Sequence, residues 1–197
     1  HREQLTKLSP SGEVRDLAAT ISDLDTDKPR YDIGARFTNV GIAAADERPG
    51  VRGFSGDLRA DGSGGRVEVQ SSNMLLDLPQ FMDDAIDISR ADGTIIWRSS
   101  NNRTTVLSDS IRLVNPVLDS RMSLHLTIND DGSSPEIDLD GSFTVNDVGS
   151  VRRYIPRKIM KPKLYNWFQL ALVEGSVERG TIRLDGPLNK FPFDNDE

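Results

Sequence analysis

Apolar and polar residues alternate with a period of two along most of the chain, which is the pattern of β-strands that bury one face. The clearest runs are residues 122–128 and 137–145, which are separated by a polar, turn-rich loop at 129–135. Two alternating runs joined in this way predict an antiparallel hairpin with a single apolar face. The residues predicted to form that face are Met122, Leu124, Leu126, Ile128, Ile137, Leu139, Phe143 and Val145.

Similar but less regular runs precede this hairpin and are separated by turn signals. Residues 61–65 and 92–93 have the Asp-Gly composition of hairpin tips. No strand–helix–strand spacing is present, so the pattern predicts a mainly β fold with a meandering antiparallel sheet. The other predicted strands are residues 14–21, 31–42, 52–60, 66–70, 74–78, 85–89, 94–98, 104–113 and 119–128.

Helix is predicted only toward the C-terminal end, in a segment that we call the insert (residues 147–173). Asp147 can accept hydrogen bonds from the free backbone N–H groups at the start of a helix. Leu164, Trp167 and Phe168 recur at helical spacing in the second half of the insert. We expect Trp167 and Phe168 to pack against the sheet as part of the core.

The length of 197 residues suits one β-rich domain. Residues 1–12 are interpreted as a linker from a preceding unit. Residues 13–197 are interpreted as a single domain of a larger protein, with the insert and a closing strand at about 176–186. Exposed strands at the two ends of the sheet make association with another copy or segment an expected property.

The alternating pattern leaves open what covers the apolar face of the sheet. A second sheet packed against it would form a closed sandwich, whereas an open, curved sheet would leave an apolar groove. A long exposed apolar face is costly in water unless it meets a ligand, a lid or a partner. The alternation by itself therefore favours the sandwich.

Composition and charge narrow the classes of function. The net charge of −7 argues against nucleic acid as a partner, and the absence of cysteine excludes zinc–thiolate sites, disulfides and cysteine nucleophiles. No apolar run approaches the roughly 20 residues of a membrane-spanning helix. His125 falls on the polar side of its strand, and the acidic residues cluster in turns. We therefore expect no catalytic site, no metal and no cofactor.

The insert is basic in a chain that is acidic overall. The simplest interpretation is a solvated helix face. The alternative is contact with anionic lipid headgroups or a membrane surface, where each cation contributes about 1 kcal/mol. The candidate contacts are Arg152, Arg153, Arg157, Lys158, Lys161 and Lys163.

Short motifs along nearly the whole chain occur in an order found in one family. They are Leu8, Pro10 and Gly12; Pro49, Gly50, Gly53, Gly56 and Leu58; Gly65, Val67 and Ser71; Leu76, Leu78, Pro79 and Phe81; Gly93 and Trp97; Asn115; Tyr154 and Pro156; Trp167, Ala171 and Gly175; Gly186, Pro187, Phe191, Pro192 and Phe193. In this order the chain resembles the central domain of the AsmA-like, YhdP-type proteins of Gram-negative envelopes.

The resemblance implies a twisted β-sheet curled into a groove with an apolar interior, related to the bridge-like lipid-transfer proteins. It implies a segment of a periplasmic lipid-transport protein that is anchored in the inner membrane by a part outside this chain. The implied partners are phospholipid acyl chains and neighbouring segments of the same protein. The residues expected to line the groove are the eight apolar residues of the hairpin together with Leu113 and Trp97, and Ile95 and Leu76 are secondary candidates.

Two other classes of function stay open at this point. A non-catalytic structural or protein-binding β module of the envelope would have a fully buried core and no lipid. An enzyme, such as a glycan hydrolase, would need a pair of carboxylates in a cleft.

Overall fold

A single antiparallel sheet of nine strands makes up most of the molecule. The structure is a computed structural model and describes residues 11–23, 25, 30–45 and 48–190. Each strand pairs with the strands before and after it in sequence, so the sheet is a meander from β1 to β9. The prediction of a mainly β, meandering, curved sheet is confirmed. The strands are β1 Ser11–Ser22, β2 Arg30–Ile42, β3 Gly50–Asp61, β4 Gly64–Asp77, β5 Ile86–Ser100, β6 Arg103–Val114, β7 Leu118–Asn129, β8 Glu136–Val145 and β9 Val177–Pro187.

The sheet is open, and the sandwich that the alternation favoured is wrong. All nine strands of the described residues belong to one sheet, and no second sheet packs on it. Few apolar side chains in these ranges are buried. They are Val69, Met74, Met82, Ile88, Ala91, Val117 and Val145. The core cluster of Val69, Met74, Ile88 and Ala91 lies where β4 pairs with the first half of β5.

Two pairs of predicted strands are each one long strand. Residues 66–70 and 74–78 both belong to β4, and residues 85–89 and 94–98 both belong to β5. Asn73 adopts a φ of 55°, which changes the side to which the following residues of β4 point. Pairing with β5 nevertheless continues on either side of it, from Ser72 opposite Arg90 to Met74 opposite Ile88. The alternation of apolar and polar side chains is therefore interrupted at Asn73, although the strand and its pairing continue.

Irregularities near the middle of the strands account for the curl of the sheet. The register shifts between 15 and 18 on β1, 37 and 40 on β2, 52 and 56 on β3, and 108 and 111 on β6. At two of these shifts, serine hydroxyls accept hydrogen bonds from backbone N–H groups. Ser55 Oγ accepts from Asn39 N at 3.0 Å, and Ser71 Oγ accepts from Ser55 N at 2.8 Å. Bulges bend a strand and increase its twist. Shifts that recur in neighbouring strands bend the sheet as a whole.

A 3₁₀ turn at Leu188–Lys190 follows β9, and the other helical residues of the described ranges lie within the predicted insert. They form helix α1 Val148–Val151, 3₁₀ turns at Arg152–Tyr154 and Arg157–Ile159, and helix α2 Pro162–Ala171. Asp147 caps α1 as expected, because its carboxylate accepts from Gly149 N at 3.0 Å. Ser150 also donates to this carboxylate, and these bonds lower the pKa of Asp147.

Two sequence predictions concern the ends of the chain: a linker at residues 1–12, and the last motif of the family resemblance, which includes Phe191 and Phe193. Residues 1–10 and 191–197 lie outside the described residues, and Ser11 and Gly12 belong to β1. The predicted closing strand corresponds to β9.

Candidate functional site: the apolar face of the sheet

The eight apolar residues predicted in the 122–145 hairpin all lie on one side of the sheet, which we call the apolar face. Residues directly opposite each other in antiparallel strands share a face. Leu124 lies opposite Leu139, and Leu126 lies opposite Ile137. The pairs that place the rest on this side are Met122 with Gly141, Ser120 with Phe143, Leu118 with Val145, and Ile128 with Thr104.

The two predicted lining residues outside the hairpin lie on the same face. Val106 is opposite both Trp97 and Leu126, which places Trp97 on the apolar face. Leu113 is opposite Ser120. The structure therefore brings all ten predicted lining residues together on one surface. The secondary candidates Ile95 and Leu76 also belong to it, opposite Val67 and Val51.

The apolar face extends well beyond the predicted residues. One row across the sheet runs through Phe37, Gly56, Val69 and Gly93 on β2 to β5. It continues through Ile111, Met122, Gly141 and Ile182 on β6 to β9. Sequence reasoning missed the contributions of β2, β3 and β9 and, apart from Leu76, that of β4. Period-two alternation was present in these strands, but the bulges divided it into short pieces.

The sheet curls toward the apolar face. Along β8 the apolar-face residues are buried or half-buried, while the residues between them, such as Thr144, are exposed. Val145 is only 4 % exposed. No second layer of strands covers the face in the described ranges, so the covering comes from the curvature of the sheet. The apolar face is therefore the concave one.

The concave face opens to solvent at both ends of the strand order. On β1 and β2, Leu17, Ile21 and Tyr31 are 66 %, 59 % and 44 % exposed. At the other end, Ile182 on β9 is 42 % exposed. Nine strands spaced about 4.8 Å apart give a face about 38 Å across. That distance exceeds the roughly 15 Å occupied by the acyl chains of one bilayer leaflet.

Two aromatic rings lie along the floor of this face. A Cβ atom on Gly65 would lie 2.6 Å from Trp97 Cη2, so the indole covers Gly65 on the neighbouring strand. A Cβ atom on Gly180 would lie 2.9 Å from Phe143 Cε1, so this ring covers Gly180 in the same way. Since the glycines leave room for the rings, the aromatic side chains lie against the strands and leave the space above the floor open.

Charged side chains are concentrated on the opposite, convex face. Arg112 donates to both carboxylate oxygens of Asp119 at 3.1 and 2.7 Å, and these bonds lower the pKa of Asp119. Arg36 pairs with Asp57 at 2.9 Å on the neighbouring strand. His125 lies on this face as predicted, opposite Asp138. The sheet is therefore amphipathic, with one apolar and one charged side.

The insert lies along one long side of the sheet, where β4, β6 and β8 end. Val148 N donates to Gly175 O at 2.9 Å, which closes the insert at its base. At its far end, Lys158 N donates to Phe81 O at 3.3 Å in the loop between β4 and β5. The insert thus bridges from the β8–β9 end to the β4–β5 loop and forms a rim of the concave face.

Between these points, Asn115 organises the β6–β7 turn on the same side of the sheet. Asn115 is 8 % exposed. Its Oδ1 accepts from Val117 N at 2.9 Å and from Leu118 N at 2.8 Å. Its Nδ2 donates to Asp87 O at 3.2 Å, which ties the turn to β5.

Several of the six predicted headgroup contacts hold the insert in place. Arg157 pairs with Asp83 at 3.3 Å, and Lys158 donates to Pro79 O at 2.8 Å. Arg152 donates to Gly149 O at 2.9 Å, within the insert itself. The remaining cations, Arg153, Lys161 and Lys163, are exposed along the insert, and Arg153 lies over the ring of Tyr154.

The expectation that Trp167 is a core residue is wrong. Trp167 is 59 % exposed, whereas Phe168 beside it is half-buried. The helical phase explains the difference. Leu164, Phe168 and Leu172 fall on the side of α2 that faces the protein, while Trp167 lies on the solvent side.

Two kinds of feature are absent from the ranges that the structure describes. No group of three or more His, Asp or Glu side chains is placed to hold a metal ion. No helix among these residues is long and apolar enough to cross a membrane.

An open, curled, antiparallel sheet with an apolar concave face and a charged convex face defines a class of groove-forming β proteins. Comparison with known proteins then places the chain within a family. The model of the YhdP protein family matches residues 1–197, so the chain belongs to the YhdP family. This membership fits a role related to lipid transport in the cell envelope. Neither a curated protein nor a solved structure matches the chain.

Proposed function

We propose that this chain is a segment of a periplasmic lipid-transport protein whose apolar face shields phospholipid acyl chains between the inner and outer membranes. The observation that carries the proposal is the continuous apolar face, which runs across all nine strands and is not covered by another layer of the described residues. A soluble protein rarely leaves such a surface open unless it meets a ligand or partner. Membership of the YhdP family supports lipid as that ligand.

The physical basis of transport is partition without a tight site. Transfer of acyl chains from water to an apolar surface stabilises by about 0.8 kcal/mol for each buried CH₂ group. Most lining side chains are aliphatic or aromatic, with Ser120 and Thr104 among the exceptions, and the Trp97 and Phe143 rings lie over glycines. An acyl chain therefore meets similar surroundings along the row from Phe37 to Ile182, and no single position retains it. The headgroup stays in water at the open side of the sheet.

The proposal assigns the remaining partners to the rest of the protein. Neighbouring segments continue the apolar face at β1 and β9, where apolar side chains are exposed and the strand edges are unpaired within the described sheet. Membrane attachment is supplied by an anchor outside this chain. The segment is non-catalytic, because partition requires no group that reacts.

Native mass spectrometry of the purified chain, followed by organic extraction, tests the proposal. We expect phospholipid to remain bound to the wild-type protein. Phe143→Asp and Leu126→Asp place a charge on the apolar face and should remove the lipid, because an unpaired carboxylate is costly in an apolar environment. Thr144→Asp and Thr127→Asp are matched controls, since each changes the adjacent residue, which points to the convex face.

The circular dichroism spectrum of each variant must show the wild-type β content. Loss of lipid from the two apolar-face variants, with retention in both controls, supports the proposal. Unchanged lipid content in folded Phe143→Asp and Leu126→Asp contradicts it. A wild-type protein that stays free of lipid after incubation with vesicles would favour a structural or protein-binding β module instead.

A further inference from the structure

The solvent side of α2 carries an apolar stripe that stays largely exposed in the described part of the chain. Trp167, Leu170 and Val173 are 59 %, 79 % and 64 % exposed. Trp167 and Leu170 are three residues apart and lie on one side of the helix, and Val173 follows just after the helix ends at Ala171. Lys163 lies four residues before Trp167 on the same side and is exposed. We call these four residues the α2 stripe.

The stripe is a separate surface from the apolar face of the sheet. The opposite side of α2, with Leu164, Phe168 and Leu172, is half-buried and attaches the helix to the protein. Phe168 packs edge-on against Trp167 with ring centroids 5.0 Å apart. Arg157 and Lys158 fasten the preceding turn to the β4–β5 loop. The stripe is therefore presented outward by a helix that is held in place.

Charge indicates the kind of surface that the stripe meets. The insert contains six basic residues and one acidic residue, a net charge of +5. The whole chain has 24 basic and 31 acidic residues, so the remainder carries 18 and 30, a net charge of −12. The insert that carries the stripe therefore has a net positive charge in an acidic chain, which is complementary to an anionic surface.

We propose that the α2 stripe docks onto the surface of an anionic lipid bilayer. Trp is enriched at the boundary between membrane and water, where its ring sits at the level of the headgroups. Basic residues beside an apolar helix face add electrostatic attraction to anionic lipids. Such contact would bring the rim of the apolar face against a membrane. The inference goes beyond lipid carriage, because it requires only the stripe and its cations.

The two tryptophans allow docking and lipid carriage to be measured separately. Trp97→Phe leaves Trp167 as the only tryptophan, so fluorescence then reports on the stripe. Trp167→Phe leaves Trp97, which reports on the apolar face of the sheet. Each variant of the full chain is mixed with vesicles of phosphatidylglycerol and phosphatidylethanolamine, and with vesicles of phosphatidylcholine alone.

Docking predicts a blue shift of Trp167 emission with the anionic vesicles and a smaller shift with phosphatidylcholine. Raising the salt concentration should weaken the response, because screening reduces attraction between exposed charges. In flotation assays, the Leu170→Ser variant of the otherwise wild-type chain should bind anionic vesicles with a partition constant about tenfold lower than that of the wild type. Leu107→Ser is the matched control: Leu107 is 38 % exposed on the convex face, opposite Ile96 and His125, and should float like wild type.

Three results would overturn the inference. The first is the absence of a Trp167 shift and of flotation with anionic vesicles. The second is an equal loss of flotation in Leu170→Ser and Leu107→Ser. The third is a Trp167 shift without vesicles that grows with protein concentration, which would assign the stripe to a second copy of the chain. A response of Trp167 with no response of Trp97 would support docking while counting against lipid carriage.

Discussion

Gly180→Ala tests whether the floor of the apolar face is packed as described. The new Cβ would lie 2.9 Å from Phe143 Cε1 and closer still to two other ring carbons. Because ordinary carbon contacts begin near 3.5 Å, the ring must move by at least about 0.6 Å or rotate away. Overpacking of this kind typically lowers the free energy of unfolding by about 1–3 kcal/mol. For a chain of this size, the unfolding midpoint should fall by about 3–10 °C.

The assay is thermal and urea unfolding followed by circular dichroism, with Gly34→Ala as the matched control. Gly34 also lies within a strand, but a Cβ there would meet nothing nearer than Leu58 O at 4.0 Å. We expect Gly34→Ala to be neutral or to stabilise by up to about 1 kcal/mol through the unfolded state.

A double-mutant cycle assigns the loss to the ring. Gly180→Ala should cost at least about 1 kcal/mol less in a Phe143→Leu background, where the ring is absent. The reasoning is refuted if Gly180→Ala is as stable as Gly34→Ala, or if its effect is the same with and without Phe143.

Two further predictions concern the β6–β7 turn and a charged pair on the convex face. Asn115→Ala removes the acceptor for two backbone N–H groups, one of them on buried Val117, and should lower the free energy of unfolding by about 2–4 kcal/mol in urea unfolding. Asn115→Asp, which keeps the acceptor, should recover part of this loss, and equal loss in both variants would contradict the assigned bonds. The pKa of Asp119 is lowered in the folded state by Arg112, so the pair stabilises above the ordinary pKa of 3.8 and loses its effect as pH falls through the lowered value. The stability difference between wild type and Asp119→Asn should therefore be up to about 1 kcal/mol at pH 7 and shrink below pH 4, and a difference that grows on acidification would contradict it.

The face of the 122–145 hairpin was predictable because its two strands pair without interruption. From Leu118 opposite Val145 to Thr127 opposite Glu136 there is no register shift, so side-chain alternation and strand pairing agree. Along β2 to β6 the same alternation is broken by bulges. On β4, Val69 and Met74 share the apolar face although they are an odd number of positions apart, because Asn73 between them has a positive φ.

The openness of the sheet could not be read from alternation. An apolar stripe in a strand looks the same whether a second sheet or a lipid covers it, so the sequence pattern favoured a sandwich that the described residues do not form. Trp167 was misplaced for a related reason. Residues 164, 167 and 168 share a helical spacing, but only the packing of α2 determines which of them faces solvent.

Photocrosslinking from adjacent residues of β9 tests the central claim most directly. A photoreactive side chain at Ile182 would project from the exposed end of the apolar face, and one at Thr181 would project from the convex face. After expression in a Gram-negative host and irradiation, mass spectrometry should find phospholipid attached at position 182 and little at position 181. Equal labelling at the two positions, or none at 182 in a folded protein, would contradict the account of this face as the path of the acyl chains.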